Sequence, residues 1–129
     1  YLNSLYKKEW NNLFELNYET LTKTIEWLGL KIEIIRESEL NISGTSTDRL
    51  VNICKSIGAE TYISGVGGKE YVDESIFEKN KIQLEYQQFL HPEYLQHFSK
   101  TFIPNLSIID LLTNVGPDSL RCLSAQDVN

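Results

Sequence analysis

The chain has 129 residues, enough for an apolar core, and its 41% hydrophobic and 23% charged residues are the balance of a folded protein rather than a disordered one. A net charge of −6 argues against nucleic acid as a partner, since that footprint is a basic patch or stripe. No apolar run approaches the ~18 residues a membrane span needs, and no basic stretch followed by an apolar one marks an export signal. Cys54 and Cys122 stand far apart and outside any C-x-x-C pair, so two reduced thiols in a cytoplasmic protein are expected in preference to a disulfide.

Taken in order, Leu2, Leu5, Tyr6, Leu13 and Phe14 recur at helical spacing and predict a first helix of about three turns. Asn17 is placed to cap a second, whose stripe is Tyr18, Leu21, Ile25 and Leu28, with Gly29 as its left-handed stop. Residues 31–36 (K-I-E-I-I-R) are rich in β-branched side chains and read as a strand. A polar loop over 38–47 leads into a helix bearing Leu50, Val51, Ile53, Cys54 and Ile57, closed by Gly58. Residues 61–64 form a short strand that runs into Gly65, Gly67 and Gly68. Asp73 can cap a brief helix, and Ile82, Leu84 and Tyr86 alternate with Gln83, Glu85 and Gln87 as a strand buried on one face.

His91-Pro92 breaks that strand, because proline supplies no ladder donor. Residues 94–101 read as a short helix or an aromatic-rich loop. Ser107 then caps a helix carrying Ile108, Leu111, Leu112 and Val115, stopped by Gly116-Pro117, and the tail beyond Cys122 is polar and expected to fray. Helices alternating with strands predict an α/β fold: a small parallel sheet flanked by helices, part of a larger α/β domain, with ligands at the carboxyl ends of the strands. The chain contains no methionine and opens on Tyr1 inside a helical pattern, as a piece of a longer protein would.

The run S-G-V-G-G-K-E invites an anion-binding reading, since glycines let backbone N–H groups close around a phosphate. It matches neither standard template: Ile63 stands where a Walker loop needs glycine, and Glu70 stands where that loop needs Ser or Thr and where a dinucleotide fingerprint needs glycine or alanine. A tight turn requiring positive φ explains the glycines equally well. Lys69 suits an anionic substrate or open solvent. Thr45, Ser46, Thr47 and Asp48 crowd a helix N-terminus, where an anion site competes with a capping box from Thr45 to Asp48. His91, past a strand end, is placed for a general base, against a structural histidine; neither it nor His97 has a metal-ligand pattern. Ser64 lacks the surroundings of a nucleophile elbow, and Asp110 sits at capping-box spacing from Ser107. Tyr62, Tyr71, Tyr86 and Tyr94 would wall a sugar site or a core.

Four blocks carry a family resemblance: L-N-Y-E-T-L-T-K-T-I-E-W-L-G-L, the stretch S-G-T-S-T-D-R-L through T-Y-I-S-G-V-G-G-K-E-Y-V-D, F-L-H-P-E-Y, and P-N-L-S-I-I-D-L-L-T-N-V-G-P. In register from residue 16 to 117, the chain resembles the C-terminal portion of the WbqC-like protein family. The resemblance implies a bacterial or archaeal protein connected with O-antigen or other surface-polysaccharide synthesis. Such a protein would act on a nucleotide-linked or phosphorylated sugar, with group transfer as one chemistry. It names no cofactor and no oligomeric state, and a non-catalytic subunit that positions a partner enzyme is the alternative. It also implies an N-terminal portion opening with a strand, absent here.

Matching positions give pattern residues. Catalytic candidates are His91 and Asp110; candidates for substrate contact are Thr47, Asp48, Arg49, Ser64, Gly65, Gly67, Gly68, Tyr71, Tyr94 and Asn114; no metal ligand is among them. The glycine loop would meet phosphate or sugar, Arg49 an anionic group, and His91 a proton.

Overall fold

A computed structural model describes residues 1–124, which divide into two compact units, one of residues 1–32 with those from 90 onward and one of Glu33–Phe89. The polar tail beyond Ser124 lies outside the described residues.

The Glu33–Phe89 unit holds the sheet. Helix α3 (Ser46–Ser56) is followed by strand β1 (Thr61–Ser64), helix α4 (Glu74–Lys79) and strand β2 (Gln83–Tyr86). The strands pair in parallel, Thr61 with Gln83 through Ser64 with Tyr86, as the alternation of helices and strands predicts. Thr47, Val51 and Cys54 are the buried positions of α3, spaced four and three apart, so one helical face meets the sheet. Val51 and Cys54 join Phe77 of α4 and Ile82 in the core, with Tyr62 and Leu84 packed against them. Asp73 caps α4 by accepting from Ser75 N–H at 3.0 Å, and Gly58 ends the α3 segment at φ +67°.

In the other unit, helices α1 (Leu2–Lys7) and α2 (Leu13–Trp27) precede a long irregular stretch, then α5 (Ile108–Val115) and α6 (Ser119–Ser124). Ser107 caps α5 through Ile109 N–H, and Gly116 closes it at φ +66°. Leu5 and Leu111 are its buried apolar side chains among the described residues. Among those residues, too, no helix is long and apolar enough to cross a membrane.

Four sequence expectations need correction, and one open alternative is decided. The first helix stops at Lys7, because the second is capped by Asn12 and not by Asn17: the Asn12 side chain accepts from Glu15 N–H at 2.9 Å, which moves Leu13 and Phe14 into α2. Asn17 lies inside α2. Residues 31–36 join no ladder; β-branched residues favour a strand only where a partner edge supplies hydrogen bonds, and none of the described residues does so. Residues 94–101 take the loop form of the two offered, as the side chain of Gln96 binds the backbone of Ile103 in place of a helical ladder. Thr45 makes no capping bond; the turn before α3 is held instead by the Arg49 guanidinium, which donates to the carbonyls of Ile42 at 2.8 Å and Gly44 at 3.2 Å.

The fourth correction concerns the glycines. Residues Val66–Glu70 form a 3₁₀ turn in which none of Gly65, Gly67 or Gly68 has positive φ. Gly68 is needed for space: a Cβ there would stand 2.0 Å from the Ser64 hydroxyl oxygen.

Candidate functional site

The pattern residues divide between the two units. Thr47, Asp48, Arg49, Ser64, Gly65, Gly67, Gly68 and Tyr71 belong to the sheet unit, and His91, Tyr94, Asp110 and Asn114 to the other.

In the sheet unit a cleft of about 580 Å³ runs along β2 beside α4. Phe77, Ile82 and Leu84 are its apolar lining; Gln83, Glu74 and Glu78 are polar, with Lys69 and Tyr86 at the carboxyl end of the strand. The Lys69 ammonium lies 5.0 Å from the centre of the Tyr86 ring, and Tyr86 donates its hydroxyl to Glu74 at 2.9 Å. Desolvation, reinforced by that bond to Glu74, raises the Tyr86 pKa above its ordinary value. A cation, an aromatic face and two carboxylates around one cleft can meet phosphate, sugar ring and hydroxyls respectively.

The glycine turn supplies Lys69 to this cleft, and it is anchored by Ser64, buried, whose hydroxyl donates to Gly65 O at 3.2 Å. Tyr71 and Asp48 are exposed. Thr47 is buried, and its hydroxyl accepts from Asp73 N–H at 3.0 Å, tying the start of α3 to the cap of α4. Arg49 also pairs with Glu37, so an anion approaching its guanidinium would compete with a carboxylate already there.

The other unit carries an aromatic and amide cluster. His91 Nδ1 lies 2.9 Å from Pro92 O, and its ring faces those of Tyr94 and Phe102 at 6.3 and 5.7 Å. Tyr94 donates to Asp110 Oδ2 at 2.8 Å, and the buried Gln96 donates to the same oxygen at 3.1 Å. Gln96 further donates to Ile103 O at 2.9 Å and accepts from Ile103 N–H at 2.8 Å. Asn114 accepts from His97 N–H at 2.9 Å while donating to Asp110 O at 2.8 Å. Asp110 thus holds Tyr94 and Gln96, a role that capping-box spacing did not suggest.

Desolvation, then the bond to Asp110, raises the Tyr94 pKa. A raised folded pKa makes this phenol's contribution to stability complete below the unfolded tyrosine value near 10 and lost as pH climbs through the folded value. Tyr94→Phe is therefore expected to flatten the fall in stability at alkaline pH and to remove one late-titrating phenol from the ultraviolet titration. Loss of a phenol that titrates near 10, with the late-titrating one still present, would show that Tyr94 ionises as a free phenol does.

Sequence reasoning passed over Glu74, Glu78 and Gln96. The two glutamates stand four apart on the brief helix after Asp73, a spacing that puts both on one side of α4 and was available as a signal. Nothing local marks Gln96, because its importance comes from a turn seven residues away. Among the described residues no group of His, Cys, Asp and Glu side chains is arranged to hold a metal ion, and both cysteines are free thiols.

The sequence profile of the WbqC-like protein family matches residues 1–122. An uncharacterised protein of Mycobacterium tuberculosis is 31% identical over 118 residues, which are 89% of this chain and 51% of that protein. The chain thus spans about half the length of that curated relative. No solved structure matches it.

Proposed function

The chain belongs to the WbqC-like protein family, and from that premise we propose that it is part of a cytoplasmic enzyme of O-antigen or surface-polysaccharide synthesis. Its substrate in this reading is a nucleotide-linked or phosphorylated sugar, and its chemistry is group transfer. The observation that carries the proposal is the cleft along β2, where Lys69 and the Tyr86 ring stand together at the carboxyl end of two parallel strands.

Lys69 meets the phosphate as a point charge, Tyr86 offers its face to the sugar, and Glu74 and Glu78 are within the same cleft for hydroxyls. The glycine turn lets the ligand approach the backbone closely: nothing lies within 4 Å of the space beside Gly65 and Gly67. Ser64 and Gly68 frame that turn, Thr47 ties α3 to the cap of α4 beyond it, and Asp48, Arg49 and Tyr71 are offered as further substrate contacts. In the second unit His91 is assigned to proton transfer, with Asp110 and Asn114 positioning Tyr94 and the loop that bears it.

Ligand-observed NMR against sugar phosphates, nucleotide sugars and plain nucleotides tests the ligand class. A charged hydrogen bond is worth about 1.5–3 kcal/mol, so Lys69→Ala is expected to weaken sugar-phosphate binding roughly ten- to a hundredfold. Equal binding by the variant would remove the cleft from the proposal. For His91, turnover by a complete His91→Ala protein at the wild-type rate would end its proposed role.

A further inference from the structure

On the reading that the cleft along β2 is the ligand site, we propose that it takes the nucleotide-linked class in preference to a phosphorylated sugar, with the base on the Leu84 backbone and the diphosphate at Lys69. The direction of the β2 backbone points to this. Gln83 N–H donates to Glu60 O and Gln87 N–H to Ser64 O, both at 2.8 Å, so residues 83, 85 and 87 turn their backbone groups toward β1. Backbone direction alternates along a strand, which leaves Leu84 with its N–H and C=O on the opposite side. No strand is paired there among the described residues, and Leu84 is one of the residues lining the cleft.

One residue's N–H and C=O on an open strand edge set a donor beside an acceptor. A nucleobase offers the complement along its pairing edge: uracil an N–H flanked by carbonyls, adenine an amino group beside a ring nitrogen. The backbone pair is blind to which base it meets. A base is also flat and apolar on its faces, which suits the Phe77 and Ile82 lining at this part of the cleft. A hexose brings hydroxyls to the same surface and gains less from it.

The cleft has two ends. Lys69 stands by the Tyr86 ring and Tyr86 donates to Glu74 at 2.9 Å, which sets the phosphate end, with the sugar continuing onto the Tyr86 face. Helix α4 then runs back along the strand. Lys81 N–H donates to Glu78 O at 3.0 Å and Ile82 N–H to Phe77 O at 3.1 Å, so Glu78 lies one turn on from Glu74, at the Ile82 end. Leu84 is two residues from Tyr86, about 7 Å at the usual strand rise, which leaves room for a ribose between base and diphosphate. Glu78 is the acceptor for that ribose's hydroxyls. A sugar phosphate held at Lys69 would leave the Ile82 end unfilled, whereas a cleft of about 580 Å³ falls within the ~300–1,000 Å³ of sites for larger, drug-sized ligands.

Titration of the complete protein with UDP, ADP and glucose-1-phosphate, followed by calorimetry and by its amide NMR spectrum, tests this. UDP and ADP are expected to bind roughly tenfold or more tightly than glucose-1-phosphate and to move the Leu84 amide resonance, which glucose-1-phosphate leaves in place. N3-methylated UDP, whose base has no N–H to give the Leu84 carbonyl, is expected to bind roughly tenfold or more weakly than UDP. Glucose-1-phosphate binding as tightly as UDP, with both weakened by Lys69→Ala, would overturn the nucleotide assignment and leave the cleft a sugar-phosphate site. Equal binding of UDP and its methylated form, or a Leu84 amide that UDP does not move, would overturn the contact to Leu84. Binding of none of these ligands would overturn the proposal together with the reading of the cleft as the ligand site.

Discussion

Phe77→Ala is expected to cost about 3–5 kcal/mol, the range for removing a fully buried aromatic ring. Phe77 is 1% exposed, and its ring stacks on Tyr62 at 5.2 Å between centres. It is the point where α4 meets both α3, through Val51 and Cys54, and the sheet, through Tyr62 and Ile82. A domain is stabilised by only about 5–15 kcal/mol in total, so this loss is a large share of what holds the sheet unit folded. Urea unfolding followed by circular dichroism should show the midpoint falling sharply. The cleft would go with it, since Phe77 lines it beside Glu74 and Glu78. A loss below about 1 kcal/mol would mean that the site collapses around the missing ring and that the core is looser than its burial indicates.

Gly68→Ala is expected to cost about 1–3 kcal/mol by overpacking. The new methyl would lie 2.0 Å from Ser64 Oγ and 3.3 Å from Ser64 Cβ. Ser64 is itself buried, so its hydroxyl would have to rotate away from its bond to Gly65 O or push β1 aside. Pairing the change with Ser64→Gly removes both crowded atoms and should recover most of the loss. That recovery, read as a coupling energy between contacting sites, separates crowding from a backbone requirement. Gly67→Ala supplies the contrast: its φ is not positive and open space lies where the methyl would go, so a change within about 0.5 kcal/mol is expected. A Gly68→Ala protein as stable as wild type would show that the turn shifts freely.

The same residues show where local reading succeeds. Helices α3 and α5 could be read from the sequence because their apolar spacing, their flanking Ser107 and their closing Gly58 and Gly116 are all local signals. The two strands and their parallel pairing came from alternation and element order. Asn12 and Asn17 were not separable by sequence, since both are good caps and the choice depends on which one meets a free N–H three residues on. For the candidate site, Lys69 and Tyr86 were visible singly, as a cation after a glycine turn and an aromatic in a strand. Their meeting across 5.0 Å was not, because it needs the β1–β2 register.

The family, the α/β class and the positions of the strongly periodic elements are all properties of residues within a turn or two of each other, and the amino-acid order alone determines them. The tertiary structure was needed to decide that Gly68 serves close packing against Ser64, that Arg49 closes on Glu37 and two loop carbonyls, and that Asp110 gathers Tyr94 and Gln96. It also decided that residues 31–36 stand outside any ladder among the described residues. Each of these is a contact between residues distant in sequence or a partner strand's presence, and a strand's hydrogen bonds, unlike a helix's, are made with another segment.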